Sequence, residues 1–97
     1  MKTLEEIKEI IKVNKDELIR QYGLKEIGVF GSYVRGAQRE ESDLDILIEF
    51  AEPVGFVKFM RLENRLSELL GVRVEMVTRK ALKPFIGKQI LKEVLYV

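Results

Sequence analysis

The 97-residue sequence has no cysteine and no histidine. Lacking cysteine, it can form no disulfide, no thiolate nucleophile and no Cys-zinc site, and it carries no thiol redox chemistry. Lacking histidine, it has no Ser-His-Asp triad, no imidazole acid or base and no HExxH zinc site. A long apolar run is missing too: nothing approaches the ~20 residues of a membrane span. The opening Met1-Lys2-Thr3-Leu4-Glu5-Glu6 does not read as a signal peptide. The expectation is a cytoplasmic protein with no membrane partner. Nor is there a surplus of one charge, since 17 basic and 16 acidic residues leave +1. That balance argues against direct nucleic-acid binding, which rests on a basic surplus. Any chemistry must be built from carboxylates, hydroxyls, Lys, Arg and backbone amides.

What remains is a chain able to fold. Apolar residues make up 46% of it, and its length fits one domain spanning 1–97. Thr3 and Glu6 match a capping box at the head of a helix carrying Leu4, Ile7, Ile11 and Leu18, with Gly23 as its stop. Glu26 to Phe30 is β-like and runs into Gly31-Ser32, one helical turn over Tyr33–Gly36, and a polar loop over Ala37–Ser42. Asp43 to Phe50 alternates, with Leu44, Ile46 and Ile48 on one face and Asp43, Asp45, Leu47 and Glu49 on the other. Phe56, Phe59, Leu62, Leu66 and Leu69 mark a second amphipathic helix closed by Gly71, and Val72 to Val77 a third strand. Leu82, Phe85, Ile86, Ile90 and Val94 suggest a last helix, weakened by Gly87. Phe56, Phe59, Phe85 and Tyr96 read as core or interface residues, and Val94-Leu95-Tyr96-Val97 as helix packing or an interface. The order predicts an α+β fold: a mixed β-sheet with helices packed against it. Its first two strands would be antiparallel and its second and third parallel.

The chemistry-bearing stretch is Gly31-Ser32, ten residues, then Asp43-Leu44-Asp45. Two aspartates at i and i+2 of a strand share a face, with Cα atoms about 6.5–7 Å apart. At roughly 5 Å and an effective dielectric of about 20 their charges repel by about 3 kcal/mol, which a divalent cation converts into binding. Magnesium takes one or two carboxylates, waters and substrate phosphate oxygens. An isolated Asp-x-Asp is more often a solvated turn, and Gly-Ser an ordinary strand-to-helix turn. An antiparallel pairing of the first two strands, however, sets Gly31-Ser32 beside Asp43 and Asp45. A glycine there lets backbone amides approach a phosphate, and the hydroxyl adds a donor. Glu75 on the third strand is the natural third carboxylate, with a solvated position as its plainer explanation. Arg35 could reach triphosphate oxygens, whereas Arg39 sits in a charged loop. Arg79, Lys80, Lys83 and Lys88 read as a solvated basic stretch. Together the residues suggest metal-dependent phosphoryl or nucleotidyl transfer.

Gly31-Ser32-x10-Asp43-x-Asp45, between two strands and followed by a carboxylate on a third, resembles the polymerase-beta-like nucleotidyltransferase superfamily. Within it the chain is similar to the minimal nucleotidyltransferases (MNT), the antitoxin halves of HEPN–MNT toxin–antitoxin pairs. The resemblance implies a polymerase-beta-like fold, with Asp43, Asp45 and Glu75 as catalytic magnesium ligands, for two ions. It also implies Gly31 and Ser32 on the ATP phosphates, helped by Arg35. The family more often has Asp where this chain has Glu75. The implied reaction moves AMP from ATP to a hydroxyl, a tyrosine, of a HEPN ribonuclease toxin, and is compatible with a homo- or hetero-oligomer. Two alternatives stay open: a non-catalytic antitoxin that occludes its toxin, and a nucleotidyltransferase acting on RNA or a small molecule.

Overall fold

The computed structural model describes residues 2–97. Helix α1 spans Leu4–Tyr22, strand β1 Leu24–Phe30, the single helical turn α2 Ser32–Arg35, and strand β2 Leu44–Phe50. Helix α3 follows over Phe56–Leu70, strand β3 over Val74–Thr78, a 3-10 turn over Arg79–Ala81, helix α4 over Pro84–Glu93, and strand β4 over Leu95–Tyr96. The expected capping box is formed: the Glu6 amide donates to Thr3 Oγ1 and the Thr3 amide to Glu6 Oε1, each at 3.2 Å. Gly23 closes α1 in the left-handed conformation at φ 68°.

The sheet runs β3-β2-β1-β4. As expected, β1 and β2 are antiparallel and β2 and β3 parallel. Ile7, Ile11 and Leu18 of α1 and Leu62, Leu66 and Leu70 of α3 are buried against Ile27, Val29, Leu44, Ile46, Ile48, Val74 and Met76. Each fully buried Leu or Ile contributes about 1.5–3 kcal/mol, so this layer fixes the strand register. The acidic residues of β2 are thereby held on the face away from α1 and α3.

One expectation is corrected and two are narrowed. β2 begins at Leu44, leaving Asp43 just before it. The Val94–Val97 end is not helix packing: Leu95 and Tyr96 pair antiparallel with Val29 and Gly28 of β1, and the Val97 amide donates to Ile27 O at 2.9 Å. A Cβ on Gly28 would come within 2.5 Å of Val94 Cγ2, so a glycine admits this last crossing. Of the four aromatics, Phe59 packs on the core. Phe56, Phe85 and Tyr96 are 77%, 80% and 45% exposed and are not core. Phe56 lies off the Leu62-Leu66-Leu70 row that α3 buries, and Phe85 sits in the first turn of α4. Among the described residues no helix is long and apolar enough to cross a membrane.

Candidate active site

The site is assembled where β1 ends beside the start of β2. Phe30, the last residue of β1, pairs with Asp45. The chain leaves β1 through Gly31 at φ 82°, ψ −152°, a conformation open to glycine almost alone. Space makes the same demand, because a Cβ on Gly31 would overlap the Asp45 carboxylate oxygen Oδ2. Ser32 opens α2 and is half-buried, and Gly36 ends that turn.

Leu44, Ile46 and Ile48 enter the core, so the period-2 geometry of β2 turns Asp45 to the opposite face. The parallel register sets Glu75 of β3 directly beside Asp45, with adjacent strands about 4.8 Å apart. Glu75 is exposed and Asp45 half-buried. Burial first, then the charges of Glu75 and Asp43, push the Asp45 carboxyl up from 3.8 to about 6, with Arg35 opposing. Glu75, Asp43 and Arg35 thus each act electrostatically on Asp45.

Two participants escaped the sequence reading. Arg73 donates from Nε to Asp43 Oδ1 at 2.6 Å. The parallel pairing of Leu44 with Val74 contains that contact, because it sets the residues just before each strand side by side. Glu93, the last residue of α4, accepts from the Gly31 amide at 2.8 Å and from Arg35 Nη1 at 2.7 Å. No local pattern announces this contact, which depends on the path of α4. Burial tends to raise the Glu93 carboxyl, but the Gly31 and Arg35 hydrogen bonds and the Arg35 charge outweigh it and hold it below its ordinary range.

Between the sheet and α4 lies an open cleft of about 410 Å³. Phe30, Gly31, Arg35 and Asp45 line one side, and α4 lines the other with residues that include Phe85, Gln89 and Glu93. A smaller apolar cleft of about 200 Å³ lies at the far end of β2, lined in part by Ile48, Phe50, Arg79 and Lys80. Arg79 and Lys80 are therefore remote from Asp45. Arg39 is exposed in the loop, where its amide donates to Ser42 Oγ at 2.8 Å.

Among the described residues no group of three metal-ligating side chains is drawn together. Asp43 is turned to Arg73, and Asp45 and Glu75 stand side by side in register on adjacent strands. Magnesium needs only one or two protein carboxylates when phosphate and water supply the rest. An in-register pair of carboxylates, with Asp45 half-buried and raised by its acidic neighbours, is a donor set that suits such an ion.

Residues 3–97 match the nucleotidyltransferase domain family. The sequence is 52% identical over 97 residues to protein adenylyltransferase MntA of Thermococcus cleftensis, covering 100% of this chain and 98% of that protein. The fold is similar to that of a solved candidate minimal nucleotidyltransferase, with TM-score 0.83, 36% identity, and coverage of 97% of this chain and 95% of that one. It is also similar to a chain of a mutant MntA–HpeT toxin–antitoxin complex, with TM-score 0.71, 26% identity, and coverage of 93% and 69% respectively.

Proposed function

Because the chain belongs to the nucleotidyltransferase domain family, which it matches over residues 3–97, we propose that it is a protein adenylyltransferase and the antitoxin of a HEPN-family ribonuclease toxin. It moves AMP from ATP onto a tyrosine hydroxyl of that toxin. The observation that carries this reading is the seating of Gly31 against the Asp45 carboxylate, with Glu75 in register beside it. The name of the Thermococcus cleftensis relative supports adenylyl transfer, and the MntA–HpeT complex supports a toxin as partner.

The acceptor oxygen attacks the α-phosphorus of ATP. A new P–O ester forms, the bond to the bridging oxygen of the β-phosphate breaks, and pyrophosphate leaves with the electron pair. Asp43, Asp45 and Glu75 would hold magnesium, which when bound neutralises the phosphates and steadies the departing charge. The Gly31 amide and the Ser32 hydroxyl donate to the β- and γ-phosphates, and Arg35 adds a charged donor. Exposed Glu75 lies on the open side of Asp45 and takes up the acceptor proton. Helix α4 walls one flank of the cleft, and the acceptor reaches it from the open side.

The test is ATP labelled at the α-phosphate, with a purified HEPN-family protein as acceptor. Wild type should label that protein and release pyrophosphate, while its Tyr-to-Phe variants at the modified position should stay unlabelled. Asp43→Asn/Asp45→Asn should lose several kcal/mol of transition-state stabilisation, or about a thousandfold in rate, with an unchanged circular dichroism spectrum. One observation favours a second reading: Asp43 is engaged by Arg73 rather than gathered with Asp45. If no label is transferred and the double variant still silences the ribonuclease, the protein acts by occlusion.

A further inference from the structure

Two donors assigned to the triphosphate, the Gly31 amide and the Arg35 guanidinium, are already engaged by one carboxylate. Glu93 Oε2 accepts from Gly31 at 2.8 Å and Oε1 from Arg35 at 2.7 Å. An anionic group whose two oxygens bridge a main-chain amide and a guanidinium occupies the donors that two oxygens of a phosphate would use. Glu93 comes from α4, across the cleft, and its charge adds to the negative field on Asp45. From this we infer that Glu93 is a resident anion that competes with the nucleotide's phosphates for the Gly31–Arg35 cradle, and so sets the affinity for the triphosphate.

The balance of strengths allows exchange. The Arg35 side chain is 59% exposed and that of Glu93 22%, and ion pairs this open to water are weak. A triphosphate carries more charge than one carboxylate and can displace it. Tethering favours the carboxylate instead: Val94 follows Glu93 directly and leads into β4, which is paired with β1. Glu93 is thereby kept near the cradle, and each binding event has to move it. A Glu93 that merely positioned Arg35 for the nucleotide would have the opposite effect when removed.

The inference rests on the nucleotide reading of this site, and the experiment separates the two. Binding of the magnesium complex of α,β-methylene-ATP is measured by calorimetry for wild type, Glu93→Gln, Glu93→Ala and Arg35→Ala. Glu93→Gln retains the size of the side chain, and thermal melts establish that each variant is folded. The expected result is binding about tenfold tighter in both Glu93 variants and weaker in Arg35→Ala. Wild-type binding that is unchanged or weakened in both Glu93 variants would overturn the inference and leave the nucleotide reading standing. No binding by any folded variant, wild type included, would overturn both.

Discussion

Gly31 and Asp45 constrain each other at the scale of single atoms. The backbone at Gly31 is turned to φ 82° and ψ −152°, where a side chain adds about 1–3 kcal/mol of strain. Any Cβ there would also drive into the Asp45 carboxylate. Gly31→Ala should therefore lower stability by about 1–3 kcal/mol and cut AMP transfer far more than that loss explains. Urea unfolding and labelled transfer on the same sample check the two effects together. The meeting of Gly31 with Asp45 was legible because an antiparallel connection puts the ends of their strands together. Arg73 and Glu93 were hidden for different reasons. Arg73 needs the parallel register of β2 on β3, which no local pattern reveals, and Glu93 needs the path of a helix a whole fold away.

For whole elements, legibility follows the strength of the period. Helix α3 was readable because Phe59, Leu62, Leu66 and Leu69 recur at helical spacing, with Leu62 and Leu66 in the core and Phe59 and Leu69 packed beside it, and β2 because Leu44, Ile46 and Ile48 alternate into the core. Strand β4 was not, since two residues, both exposed, have no alternation to detect. Its existence depends on the free edge of β1 and on a glycine at position 28 that lets Val94 pass. Packing between α3 and the sheet gives a direct prediction. Leu66→Ala leaves a cavity in the layer that holds the strand register, and it should cost about 2–5 kcal/mol. Chemical denaturation would register this as a lower midpoint with an unchanged slope.

Taken as a whole, a chain of net charge +1 concentrates negative charge at one corner of its sheet. That corner makes stability depend on pH. The folded-state pKa of Asp45 is raised from 3.8 to about 6, so the contribution of this group is fully present below about pH 4. It is lost as pH climbs through about 6. In EDTA the melting temperature should fall between pH 4 and pH 7 by on the order of several degrees, and Asp45→Asn should flatten that fall. A melting curve that stays level in the wild type over this interval would contradict the charge arrangement described here. The loop over residues 37–42 points elsewhere. Asp45 is placed by its pairing with Phe30 and its neighbour Glu75, not by the length of the connection from α2. Descendants of this fold are free to gain or lose residues in that exposed segment while keeping the same chemistry. Distant kin are therefore better sought by the alternation of their paired strands than by counting ten residues between Gly-Ser and Asp-x-Asp.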